Sequence, residues 1–402
     1  MHKILTFILA GGKGERLYPL TRDRAKPAVP FGGVYRIIDF PLSNCINSKL
    51  RKIYILSQYK SLSLNRHIQL GWNILSSPLG EFITVAHAQQ RMNEYWYKGT
   101  ADALFQNIYL LQKENPDFVL ILAGDHVYKM DYQKMIQFHF QKKADVTVGA
   151  VEVDKSLSAE FGVIAIKDNG QITGFREKPK NPCLAPGTGN KILASMGIYL
   201  FNTDFLVKSL IKDAKKPTAH DFGKNIIPSM ISSNQVFCFT FTDDHGNPNY
   251  WRDVGTIEAF YEANMDLLSG SSDLNLYESQ WPIHNYQGPC PPAKIITSNA
   301  QKQSGGYVED SVISHGCVIC GNVKRSLVSP NVRVESFSRV EDSIVLNDVT
   351  ISEHTHIRRT IIDKGSVIPP GMHIGYEPEE DAKRFTVTKT GVVVVPRNFR
   401  PQ

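Results

Sequence analysis

Ile4-Leu5-Thr6-Phe7-Ile8-Leu9-Ala10-Gly11-Gly12-Lys13-Gly14-Glu15-Arg16 joins a nearly unbroken apolar run to a glycine-rich turn. A short run of this kind, rich in Ile and Leu and closed by Gly, reads as a buried strand. The glycines that follow let backbone N–H groups approach and ring an anion. A phosphate loop and an ordinary tight turn both fit this stretch alone. It is not a Walker A motif, which needs Gly-Lys-Ser/Thr after a four-residue spacer, and it is not the dinucleotide fingerprint G-x-G-x-x-G. The apolar run is at the short limit for a secretion signal and leads into glycine and charge in place of a small-residue cleavage site, so the expected compartment is the cytoplasm. Arg16, Arg22, Arg24 and Lys26 follow within one polar segment stiffened by Pro27 and Pro30, which suits a polyphosphate.

Outward from this stretch, the chain has 402 residues, 42% of them hydrophobic and 21% charged. That is enough apolar material for two cores and too much for a disordered chain. The apolar runs are too short to span a membrane. A net charge of +6 without a dense Lys/Arg run gives little support for nucleic-acid binding and leaves anionic small substrates open. The six scattered cysteines do not form the framework of a small secreted domain, and Cys317-x-x-Cys320 has no second pair to complete a metal site, so packing of reduced thiols is expected.

Apolar strand-like runs alternate with helical periodicity as far as about residue 270. Lys52-Ile53-Tyr54-Ile55-Leu56 precedes the helical stretch Leu62 to Ile68, and Phe82-Ile83-Thr84-Val85 follows it. Ala101, Leu104, Phe105, Ile108 and Leu111 lie at helical spacing before Phe118-Val119-Leu120-Ile121-Leu122, which ends at Ala123-Gly124-Asp125-His126. The pattern predicts a Rossmann-like α/β domain over residues 1–270 with a mixed, mainly parallel sheet. Ligands bind outside the carboxyl ends of such strands, which is where Asp125 and the loop after Leu9 fall.

A Pro/Ser/Gly/Gln-rich stretch, 271–306, reads as a linker. Beyond it Val328, Val334, Val340 and Leu346 recur every six residues, as do Ile344, Ile362, Ile368 and Ile374, with Val332 in phase. A hexad period predicts a left-handed parallel β-helix over 307–402, three hexads to a coil. An antiparallel sandwich would instead alternate with period two. Ser338, Thr350 and His356 interrupt the columns, and Ile313 and Ile319 are one residue out of phase. Asp168-Asn169-Gly170-Gln171 predicts a hairpin turn. Asp221-Phe222-Gly223 has the letters of a kinase motif without a His-Arg-Asp loop, which excludes that reading.

Leu9-Ala10-Gly11-Gly12-Lys13-Gly14-Glu15-Arg16-Leu17, Arg24-Ala25-Lys26-Pro27-Ala28-Val29, Arg36-Ile37-Ile38-Asp39-Phe40 and Leu42-Ser43-Asn44-Cys45 resemble the bacterial ADP-glucose pyrophosphorylases, the glucose-1-phosphate adenylyltransferases. Trp96-Tyr97-Lys98-Gly99-Thr100-Ala101-Asp102-Ala103, Glu177-Lys178-Pro179, Ser195-Met196-Gly197-Ile198-Tyr199, His220-Asp221-Phe222-Gly223 and Trp251-Arg252-Asp253-Val254-Gly255-Thr256 continue the match in order. The resemblance runs from residue 4 to residue 375. It implies transfer of an adenylyl group from ATP to α-glucose 1-phosphate with Mg²⁺, releasing pyrophosphate. It further implies Arg16, Lys26 and Asp125 as catalytic residues, Asp125 and Asp253 as metal ligands, and Gly11, Gly12, Gly14, Gln90, Tyr97, Gly99 and Asp102 around ATP. Gly162, Glu177, Lys178 and Ser195 are implied for glucose 1-phosphate.

The family is commonly tetrameric and allosteric, so a homotetramer and an anionic sugar-phosphate or nucleotide effector are expected, without nucleic-acid or membrane partners. Arg36, His356, Arg358, Arg359, Lys364 and Arg384 are the anion candidates. Val34 stands where many relatives carry an activator-binding lysine, which counts against activation by fructose bisphosphate. Two other readings remain: a non-catalytic regulatory subunit of the same fold, and a transferase using another nucleotide. A regulatory subunit typically loses a metal aspartate or a phosphate-binding cation, whereas Arg16, Lys26, Asp125, Lys178 and Asp253 are all present.

Overall fold

The strand Ile4–Ala10 lies at the middle of a nine-stranded mixed sheet. It pairs in parallel with Lys52–Ser57 on one side and with Phe118–Ala123 on the other. Phe82–His87 extends the parallel part at the edge. The long strand Lys191–Asn202 then runs antiparallel to Phe118–Ala123 and carries the remaining strands. The computed structural model describes residues 2–89, 96–183, 185, 189–269, 274–297 and 305–400.

The central strands have apolar residues on both faces because both faces are covered. Leu5, Phe7 and Ile121 pack into one core with Leu104 and Phe201, while Ile8, Leu120 and Leu122 pack into the other with Leu42, Leu64 and Trp72. The Asn169–Gly170 turn connects the antiparallel strands Gly162–Ile166 and Ile172–Glu177, as expected, with Gly170 at φ 84°. Among the described residues no helix is long and apolar enough to cross a membrane.

Two features aim side chains at one end of this sheet. The register of Lys191–Asn202 against Val146–Asp154 shifts between Ser195 and Ile198, a bulge that bends the strand. A two-stranded ribbon, His126–Tyr128 paired with Trp251–Asp253, puts Asp253 opposite His126 and brings Asp125 and Asp253 together although they are far apart in sequence.

The C-terminal strands form three parallel faces that wind into a triangular left-handed β-helix. Its first rung, Lys294–Ile295, pairs with Val318–Ile319 from within the Pro-rich stretch. Over the strands from Asn322 to Ile374 stacked positions are 17 residues apart, one short of three full hexads, while the coil before them advances by 15. The inward column therefore runs through Val334, Val340, Val345, Ile351, Ile357, Ile362, Ile368 and Ile374, with one five-residue side in each coil. This corrects the strict six-residue columns: Ile344 and Leu346 point away from the β-helix core and pack, with Leu327 and Ile361, against Phe31, Phe40 and Phe260 of the α/β domain. The interruptions at Thr350 and His356 are this one-residue slip, beside the inward Ile351 and Ile357, whereas Ser338 is buried at a corner and donates to the Ser352 carbonyl. At the short corner Ser326, Ser343 and Thr360 are buried; each hydroxyl donates to a carbonyl of its own coil, and those of Ser326 and Ser343 accept the N–H of the next residue in the stack. Cys317 lies in the β-helix core, where its thiol donates to the Ser329 carbonyl, and no disulfide joins any of the six cysteines.

Candidate active site

A cleft of about 570 Å³ opens at the carboxyl end of the central strands. Gly11, Gly12, Arg16, Tyr97, Gly99, Asp125, Gly162, Glu177, Lys178, Ser195 and Asp253, all expected site residues, line it. Gly14 and Lys26 line an adjoining recess shared with Arg16 and Asp125. The glycine loop is built as its sequence requires: Gly14 is left-handed at φ 67°, and a Cβ there would come 3.0 Å from the Thr21 side chain.

The floor of the cleft is a charge cluster. The Lys26 ammonium donates to Asp125 Oδ2 at 2.9 Å and to Asp253 Oδ1 at 2.8 Å, and the lysine is nearly fully buried. Burial alone would lower the Lys26 pKa, but the two carboxylates outweigh it and raise it. Desolvation pushes Asp125 up, and Lys26 with His126 overcomes this to hold it down at about 2. Lys26 and Asp125 thus face each other as ions at neutral pH.

His126 joins the cluster, with Nε2 at 3.5 Å from Asp125 and 3.8 Å from Asp253. Its Nδ1 lies 3.1 Å from the Met196 carbonyl, which can only accept, so Nδ1 carries a proton and Nε2 faces the carboxylates. Asp125, His126 and Asp253 offer ligand atoms that all lie within 4.8 Å of one another, a set able to hold a divalent cation, with two hard carboxylates among its donors. Trp251 packs edge-on against the His126 ring and keeps it in place.

Across the cleft, Lys178 has a left-handed backbone, φ 49°, with its N–H bound to the Phe161 carbonyl. A non-glycine residue in that region is strained, and here the strain sits on a cleft-lining lysine. Burial and the nearby Asp221 raise the Glu177 carboxyl above its usual range. Ser195 sits at the start of the bulge.

Among the described residues one expected residue, Asp102, does not line the cleft or its recess. It lies in the first turn of the helix Thr100–Gln106, buried, and its Oδ2 accepts from the Lys98 N–H at 2.8 Å just ahead of the helix and from the Gln106 amide at 2.9 Å within it, a structural role. Gln90 lies outside the described residues. Conversely, the sequence reading missed His126, Gln58, Glu160 and Asp221 as cleft residues. His126 was legible as the neighbour of Asp125. Asp221 was set aside with the kinase motif, yet its carboxylate lines the cleft. Gln58 accepts the Tyr97 N–H at 2.6 Å, and Glu160 pairs with Arg16 at 2.8 Å across the mouth.

Residues 5–270 match the nucleotidyl transferase family model, and residues 291–395 match that of the GlmU-like C-terminal hexapeptide. A glucose-1-phosphate adenylyltransferase of Rhodopirellula baltica is 51% identical over 99% of this chain and 90% of its own length. One from Koribacter versatilis is 50% identical over 99% of this chain and 96% of its own, and one from Nitrosococcus oceani is 51% identical over 97% and 93%. With a nucleotidyltransferase sheet, a glycine loop over an ionised floor and a hexapeptide β-helix in one chain, this protein belongs to the glucose-1-phosphate adenylyltransferase family of nucleotidyl transferases.

Proposed function

We propose that the chain joins ATP and α-D-glucose 1-phosphate to give ADP-glucose and pyrophosphate. The observation that carries this reading is a single cleft with a glycine loop and Arg16 on one rim, Lys178 and Glu177 on the other, and Lys26, Asp125 and Asp253 between them. A sugar phosphate oxygen is already ionised at neutral pH and needs no general base. It attacks the α-phosphorus in line, a new O–P bond forms, and the bond to the β-phosphate oxygen breaks. Arg16 and Lys26 would stabilise the departing pyrophosphate, and Lys178 would hold the sugar phosphate, so catalysis is positioning plus charge neutralisation. Asp125 and Asp253, with His126, would hold Mg²⁺, which supplies charge neutralisation at the phosphates when bound.

The division into a catalytic unit over 1–270, a linker over 271–306 and a β-helix serving assembly and regulation over 307–402 belongs to the same reading, as do the homotetramer and the cytoplasmic location. An anionic effector is supported by a recess of about 220 Å³ between the two domains, lined by Arg24, Arg36 and Lys364 together with Val34. Burial and the neighbouring Arg397, Arg36 and Arg24 push the Lys364 ammonium down to about 8, and a bound anion would relieve this crowding. Of the other anion candidates, Arg359 lies over the Tyr261 ring, Arg384 pairs with Asp381, and His356 stacks on His373.

Pyrophosphate release from purified protein with Mg²⁺ and glucose 1-phosphate, compared across ATP, UTP, dTTP and GTP with and without fructose 1,6-bisphosphate, tests the proposal. Release with ATP alone supports it. Release with another nucleotide corrects the base, and no release with any of them favours a regulatory subunit.

A further inference from the structure

Thr100, which lines the cleft, makes the side-chain tie between its two rims. Thr100 belongs to the rim carrying Tyr97 and Gly99, and its hydroxyl donates to Asp221 Oδ2 at 2.9 Å while accepting the Phe222 N–H at 3.0 Å. Asp221 belongs to the opposite rim, beside Glu177, and its second oxygen accepts the Lys224 N–H. The approach is close: a Cβ on Gly99 would lie 2.3 Å from the Ala219 carbonyl oxygen and 2.4 Å from that of His220. The His220 carbonyl accepts the N–H groups of both Ala101 and Asp102, at 2.8 and 3.2 Å. His220 holds this turn in a left-handed conformation, φ 49°, by fastening its ring to Asp213 at 2.8 Å.

We propose that Thr100 is a positioning residue for glucose 1-phosphate: its hydroxyl fixes the Asp221 carboxylate at the sugar rim and locks that rim to the nucleotide rim. The inference rests on the assignment of the Glu177–Lys178 side of the cleft to the sugar phosphate. A hydroxyl that both donates and accepts cannot be replaced by an isosteric methyl without removing one of the two hydrogen bonds that fix the carboxylate and orphaning the Phe222 N–H. Asp221, held only through the Lys224 N–H, then loses its fixed aim at the sugar rim beside Glu177, whose ionised form it already disfavours. Interactions lost in ground and transition state alike raise KM and leave kcat near its original value.

The test compares Thr100→Val, Thr100→Ser and Lys178→Ala by steady-state kinetics, with a circular-dichroism melt of each. Thr100→Val should raise the KM for glucose 1-phosphate about tenfold with kcat within about twofold, and Thr100→Ser, which keeps the donor and the acceptor, should return to within about twofold of the unsubstituted enzyme. The proposal is overturned if Thr100→Val leaves that KM unchanged while Lys178→Ala raises it. It is equally overturned if Thr100→Val raises it and Thr100→Ser does not restore it, because the role is then packing. If Lys178→Ala leaves the sugar KM unchanged, it is the assignment of this rim to the sugar that fails.

Discussion

At the scale of single residues, the floor of the cleft has two acids and a lysine that neutralises half their charge. Asp125→Asn removes one charged ligand from any cation held there, and turnover should fall roughly hundredfold or more, with the melting temperature within a few degrees of the parent. Near-normal turnover would take Asp125 out of the mechanism. Lys178→Ala removes a charge-assisted contact to a phosphate, and the KM for glucose 1-phosphate should rise about ten- to hundredfold with kcat little changed. An effect on ATP alone would mean Lys178 serves the other substrate. Asp125 was legible because it ends an apolar run, and Asp253 only through the family resemblance of the string around it. Asp102 was not: a carboxylate beside a helix start reads alike whether it faces a ligand or caps N–H groups, and only the Lys98 and Gln106 contacts decide between them.

At the scale of elements, the helix Tyr132–Lys142 is pinned to the sheet through His139, whose Nδ1 meets Thr147 at 2.8 Å and whose Nε2 meets Asn202 Oδ1 at 3.1 Å. Asn202 Oδ1 only accepts, so Nε2 donates, and Nδ1 accepts from the threonine in the neutral ring. Burial lowers the His139 pKa, against smaller opposing effects of Asn202 and Asp145. The unfolded chain therefore binds this proton more readily than the folded one. The stabilisation should be complete above about pH 6.5, the ordinary histidine value, and fade as pH falls below it. Melting temperatures of the parent and of His139→Gln across pH 5 to 8 check this: the gap between them should narrow on the acid side, and a constant gap would refute it. Element types were legible from periodicity. The β-helix faces were not, because the coils advance by 15 and then 17 residues in place of 18, and a fixed six-residue frame drifts onto neighbouring positions. Ile344 and Leu346 show what the drift hides, since residues that look like the inside of one domain form its seam with the other.

At the scale of the whole molecule, that seam carries a buried ion pair. Arg24, two residues before Lys26, donates to Asp363 of the β-helix at 2.5 Å, with both side chains about 2% exposed. Breaking such a pair strands a charge in a dry interface and costs about 3–5 kcal/mol. Asp363→Ala should lower the calorimetric melting temperature and separate the melting of the two domains, whereas Arg24→Met combined with Asp363→Leu should regain most of the loss. An unshifted single transition in Asp363→Ala would show that the pair carries no net coupling. The apolar residues around it, from Leu17 and Phe31 to Leu327 and Val394, make the seam a continuous core, so the segment bearing Lys26 is braced from behind by the β-helix.

The 17-residue offset between stacked coils also sets a unit of growth. Duplicating one full coil lengthens the prism while leaving every hydroxyl, aliphatic and corner residue above an equivalent one. The coil that precedes the 17-residue ones advances by only 15 residues and still lands on the same three faces, so the corners between faces absorb differences in coil length. Engineered extensions of this protein are therefore constrained by the faces and by the buried hydroxyl stack, and a copied 17-residue coil satisfies both.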